Sequence, residues 1–69
     1  MRITDNDLKI LKILNKLDSD RMSLIEETKL AKASFHYSIM RLIVNSFITV
    51  SNGVYKITKQ GKQIIEITK

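Results

Sequence analysis

Asn52-Gly53 is the feature that most restricts what this chain can become. Both central positions of a type I′ turn need positive φ, which Asn and Gly tolerate, so this dipeptide between alternating apolar and polar residues predicts a two-residue hairpin. With the turn placed there, Ser51 faces Val54, Val50 faces Tyr55, Thr49 faces Lys56 and Ile48 faces Ile57. Side chains alternate across a strand, so Ile48, Val50, Tyr55 and Ile57 share one face and Thr49, Ser51, Val54 and Lys56 the other. The first face is apolar and calls for helices to cover it.

Residues 30–45, LAKASFHYSIMRLIVN, predict the main one. At about 100° per residue, Phe35, Ile39 and Leu42 fall on one line with Ala31 and Ser38 beside them, while Ala33, Tyr37 and Arg41 point the opposite way. The outward face is small, aromatic and basic. Upstream, Thr4 is placed to cap a first helix, with Asp5 and Asp7 at the positive end of its dipole and Ile3 stapled onto Leu8. That helix runs to about Leu17 and is ended by Asp18-Ser19-Asp20. Arg21-Met22 reads as a brief extended piece able to pair with the hairpin edge. Ser23 to Glu26 has capping-box spacing and opens a helix of about two turns, with Leu24, Ile25 and Thr28 inside. Lys29 to Ala31 then forms a turn plugged by Leu30. After the hairpin, Thr58 caps a last helix whose Gly61, Ile64, Ile65 and Thr68 line one side, with Gly61 allowing close approach to helix 1.

The 69 residues leave room for one domain, spanning 1–69, and a domain this small buries only roughly 60% of the surface its unfolded chain exposes. Without cysteine there is neither a disulfide framework nor a thiolate zinc site, which fits a reducing cytoplasm. No apolar run has the length of a membrane span and no signal-peptide pattern opens the chain, so the expectation is a soluble cytoplasmic protein with no membrane partner.

Charge is distributed unevenly. Every acid lies at or before Glu27 except Glu66, so residues 28–65 carry Lys29, Lys32, Arg41, Lys56, Lys59 and Lys62 with no acid at all. A segment of one sign attracts a polyanion, and this one coincides with the outward face of the main helix and with the hairpin. A lysine-rich solvated surface is the plainer reading of charge alone. Lys9, Lys12 and Lys16 on helix 1 are read that way.

Two stretches carry a resemblance to a known family: Leu30 through Ile48, and Tyr55-Lys56-Ile57-Thr58-Lys59-Gln60-Gly61. In the order helix, helix-turn-helix, two-stranded wing, helix, the chain resembles the winged helix-turn-helix superfamily, in particular small archaeal and MarR- or PadR-like regulators. The resemblance implies an α+β, mostly α fold of three helices, a two-stranded β wing and a C-terminal helix. It also implies a DNA-binding transcription regulator, often a homodimer. Family members commonly have Gly where this chain has Ser46, so Asn45 or Ser46 must supply the bend into the wing.

On that reading the helix over 31–45 enters the major groove and the hairpin over 47–58 is the wing. Ala33 and Ser34 suit close approach. Ser34 would bond a base or phosphate, Tyr37 a phosphate, and His36 a base acceptor or simply the helix edge. Arg41 would reach guanine only if the helix penetrates deeply and otherwise holds phosphate, Lys32 and Lys56 are expected on phosphate, and Lys59 and Lys62 add to the field. Asn52 is the one candidate at the wing tip, which has no basic residue. Met40 and Val44 face outward but suit a partner surface better than DNA.

Helix 1 has apolar residues over an arc wider than packing on one side requires, which suggests a second copy of the chain as partner. Ile10, Ile13 and Leu17 are the expected interface, supported by Ile64 and Ile67, with Leu11 and Leu14 left to the core. Catalysis finds no constellation: His36 has no carboxylate to orient it, Glu26 and Glu27 are adjacent and do not converge, and there is no phosphate-binding Gly loop. No enzyme activity, cofactor, metal or small-molecule effector is expected. The alternative function is a winged-helix protein-interaction module of a larger assembly that does not touch DNA, because fold does not dictate function. An RNA target would want an aromatic stacking platform, whereas Phe35 and Phe47 read as core.

Overall fold

A computed structural model describes residues 3–68. Its elements are α1 (Asp5–Lys16), β1 (Ser19–Asp20), α2 (Arg21–Thr28), α3 (Lys32–Val44), β2 (Ile48–Ser51), β3 (Val54–Ile57) and α4 (Lys59–Ile67). The chain is therefore α+β and mostly helical. Its sheet has three antiparallel strands in the order β1-β3-β2, one more than the hairpin alone predicts.

The hairpin has the register read from the sequence: Ser51 opposite Val54, Val50 opposite Tyr55, Thr49 opposite Lys56, Ile48 opposite Ile57. Asn52 and Gly53 hold φ of 52° and 77°, as a type I′ turn needs. Ile48 and Tyr55 are buried and Ile57 half-buried, but Val50 is 47% exposed: it lies on the edge strand β2, whereas Tyr55 opposite it lies on the central strand.

The third strand corrects the reading of residues 18–23. Ser19 and Asp20, not Arg21 and Met22, pair with the hairpin, opposite Tyr55 and Val54. Asp20 is the N-cap of α2, its Oδ1 accepting from the Ser23 amide at 2.8 Å, so the helix opens at Arg21, before the expected Ser23. Two capping signals overlap here, and the earlier one prevails because it lets β1 run directly into α2.

Around α1 the core assembles. Thr4 and Asp7 form a capping box: the Asp7 amide donates to Thr4 Oγ1 at 3.2 Å and the Thr4 amide to Asp7 Oδ2 at 3.1 Å. Helix α1 packs against α2, α3, α4 and β3 together. This accounts for its wide apolar arc within one protomer. Ile10, expected at a dimer interface, is fully buried with Leu11, Leu14, Leu24, Phe35, Ile39, Leu42, Ile48, Tyr55 and Ile65 in one cluster.

Neither of the two turns flanking α3 uses glycine. Lys29 closes α2 in the left-handed region at φ 57°, and half-buried Leu30 packs on the core beyond it. At the other end Ser46 takes φ 62°, its amide donating to the Ile43 carbonyl at 3.0 Å while that of Phe47 donates to Leu42 at 2.9 Å. These two bonds are a Schellman closure with Ser46 at the left-handed position. Thr58 ties this corner to α4: its hydroxyl donates to the Ser46 carbonyl at 2.6 Å and accepts from the Gly61 amide at 3.1 Å. Gly61 permits a close approach, but to the entry of the hairpin and not to α1. A Cβ there would run into the Phe47 carbonyl and lie 2.7 Å from Ile57 Cγ1.

Candidate nucleic-acid interface

Helix α3 positions most of the expected residues. Phe35, Ser38, Ile39 and Leu42 are its buried side, which fixes its rotation about its own axis. Lys32, Ala33, Ser34, His36 and Tyr37 consequently lie exposed, the last of them at 70%. Ala31 is the N-cap and offers no side-chain acceptor to the first amides of the helix. With no acid anywhere in residues 28–65, this end of α3 combines free amide donors, a lysine, two hydroxyls and an imidazole. Such a face suits an anion or the edge of a polar base.

Arg41 departs from the expectation. Its guanidinium turns along the flank of α3 onto α1, where Nη2 lies 3.0 Å from Asp7 Oδ1 and 3.4 Å from Thr4 Oγ1. Asp7 is fully buried. Burial disfavours its charge, but the Arg41 guanidinium, the Thr4 amide and the Ser38 hydroxyl together hold the carboxyl below its usual pKa. Arg41 Nε is also buried, with no hydrogen-bond partner. Arg41, expected in the groove or on phosphate, is thus held in the free chain by a buried carboxylate 34 positions earlier, with its side chain still 41% exposed. Thr4 and Asp7 three apart carried the local half of the signal, and nothing local pointed to the long-range half.

Lys56 is exposed on β3, and its Nζ stands 4.0 Å from Asp18 Oδ2, a loose surface pair that leaves the ammonium accessible. Asn52 is exposed at the turn, and Lys59 and Lys62 at the start of α4. One cation that periodicity did not single out stands beside the hairpin turn, since Asp20 pairs with Val54. Arg21, first residue of α2, lies over the Phe35 ring with its guanidinium carbon 5.6 Å from the ring centroid. An Asp-x-x-Ser cap starting at Asp20 was the signal that would have set it on the first turn of α2.

The residues expected between protomers are spread differently. Ile13 and Ile64 are half-buried and packed on the core, whereas Leu17 is 72% and Ile67 78% exposed. Beside Leu17 a shallow concavity of about 300 Å³ is lined by Lys12, Ile13, Lys16, Ser19 and Glu27. Among the described residues no helix is long and apolar enough to cross a membrane. In comparisons with protein-family models, curated proteins and solved structures, nothing matches this chain.

Proposed function

We propose that this chain is a winged helix-turn-helix domain that binds double-stranded DNA as a transcription regulator. The observation that carries the reading is the exposed, acid-free N-terminal half of α3, with Lys32, Ala33, Ser34, His36 and Tyr37 together on its outer side. The order helix, strand, helix, helix, hairpin, helix and the β1-β3-β2 sheet support the same assignment. In this reading α3 lies in the major groove, where the small Ala33 and Ser34 admit the backbone close to base edges and Lys32 and Tyr37 hold phosphate. His36 bonds a base acceptor. The hairpin contributes Lys56 to phosphate and Asn52 at its turn. The reading assigns no catalytic step and no cofactor, and a cysteine-free regulator of this kind works in a reducing cytoplasm.

The working unit in this reading is a symmetric homodimer joined through Leu17 and Ile67, with Ile13 and Ile64 at its edge. A two-fold pair sets two recognition helices about 34 Å apart on one side of a duplex and reads a near-palindromic site. Selection of bound sequences from a random duplex pool, at stated salt, tests the proposal. A recovered motif with two-fold symmetry is expected, altered by Ser34→Ala or Tyr37→Phe. A second reading, a protein-interaction module, draws on the exposed apolar side chains of Leu17, Met22, Val44 and Ile67. It takes over if the protein passes through immobilised random duplex unretained at low salt.

A further inference from the structure

We infer that Arg21 is a phosphate-binding residue between the hairpin turn and the first turns of α3; this rests on the DNA-binding reading above. Sheet register supplies the first half of the juxtaposition. Asp20 pairs with Val54, the residue directly after Asn52-Gly53, so α2 begins with Arg21 beside the hairpin turn. The ring contact supplies the second half: the Arg21 guanidinium stands over Phe35, three residues along α3 from Lys32. Arg21 therefore bridges the two elements assigned to DNA. The hairpin turn has no cation of its own, and Arg21 supplies one at its side.

The guanidinium is also free to act. Among the described residues the ion pairs are Arg41 with Asp7 and Lys56 with Asp18, and neither engages Arg21. The nearest acid in the chain, Asp20, is turned back onto the Ser23 amide, a bond that holds its carboxyl below the usual pKa. Packing against a buried aromatic ring keeps the arginine side chain laid across the surface, so less rotamer freedom is lost when it meets an anion. A planar fork of donors matches phosphate oxygens in pairs. With Arg41 held by a buried carboxylate, Arg21 takes the role that an arginine on α3 does not fill.

The test is binding of a random-sequence duplex by fluorescence anisotropy, over salt from about 0.05 to 0.2 M, for the wild type, Arg21→Gln and Arg21→Lys. Arg21→Gln should weaken binding about threefold to tenfold on every sequence alike. It should also make the slope of log affinity against log salt shallower by about 0.9 for each phosphate no longer neutralised. Arg21→Lys should keep the wild-type slope and lose less affinity. Wild-type affinity and slope in Arg21→Gln would overturn the inference while leaving DNA binding intact. Weaker binding with an unchanged slope would also overturn it, since Arg21 would then act only by packing on Phe35. A wild type that binds no duplex at all fails the underlying reading instead.

Discussion

The Arg41 guanidinium donates to Asp7 Oδ1 at 3.0 Å and so joins the first turn of α1 to the second half of α3. Asp7 is fully buried, while the Arg41 side chain remains 41% exposed. The pair therefore joins an unsolvated charge to a partly solvated one. Such a contact fixes geometry more than it adds stability, because desolvation of the carboxylate offsets much of the attraction. Removing one partner is another matter, since the remaining charge is stranded.

Arg41→Met should therefore cost about 2–3 kcal/mol, below the usual 3–5 for a fully buried pair because water already screens the guanidinium. Asn at position 7 would keep an acceptor for the Thr4 amide without a charge. The double variant Asp7→Asn/Arg41→Met should accordingly be more stable than Arg41→Met alone in urea unfolding. Equal or lower stability of the double variant would mean that the carboxylate is not stranded when Arg41 is removed.

Acid should destabilise the fold through the same residue. The Asp7 carboxyl lies below its usual pKa in the folded chain, so between the two values the unfolded chain binds more protons. The contribution is fully present above the unfolded value, about 3.9, and is lost as pH falls through the folded one. Asp20, also lowered, adds in the same direction. Urea midpoints should thus drop steeply below about pH 4, and Asp7→Asn should flatten part of that drop. An identical acid profile in Asp7→Asn would remove Asp7 from the account.

Much of the architecture is legible in the sequence because it rests on local periodicity. The hairpin register follows from Asn52-Gly53 and alternation, and the buried side of α3 follows from the spacing of Phe35, Ile39 and Leu42. What is not legible there depends on long-range partners. Arg41 points away from the core on a helical wheel, yet Asp7 draws it sideways, and Gly61 meets Phe47 because Thr58 folds α4 back onto the hairpin entry. Ile10 looks spare in the sequence only because a single helix contacting four elements uses more apolar surface than a helix packed on one side. For the candidate site, exposure of Lys32 through Tyr37 agrees with the wheel, apart from the buried Phe35 that the wheel also sets inside, whereas Arg21 needs the β1 to α2 junction to be known.

Ser46 occupies a left-handed position that suits glycine, and its side chain is exposed. The backbone carbonyl that accepts from Thr58 survives a change to glycine. Ser46→Gly should stabilise the chain by about 0.5–1 kcal/mol, the Cβ strain relieved exceeding the added freedom of the unfolded backbone. In a thermal melt that is a rise of about 2–8 °C for a domain of this size. A lowered melting temperature would show that Ser46 carries an interaction beyond its backbone.

Leu17→Glu should leave the monomer folded, since the side chain is already 72% exposed, and should abolish the proposed homodimer by setting a carboxylate in its interface. Sedimentation at tens of micromolar distinguishes the two states. A wild type that sediments as a monomer would contradict the homodimer, and a Leu17→Glu variant that still pairs would move the interface elsewhere.

The salt dependence of duplex binding by the wild-type chain reaches the central claim most directly. A homodimer that neutralises on the order of eight phosphates through Lys32, Lys56, Lys59 and Arg21 should give a slope of log affinity against log salt of about −7. A slope shallower than about −2, or no binding at low salt, would contradict the assignment of α3 and the hairpin to DNA.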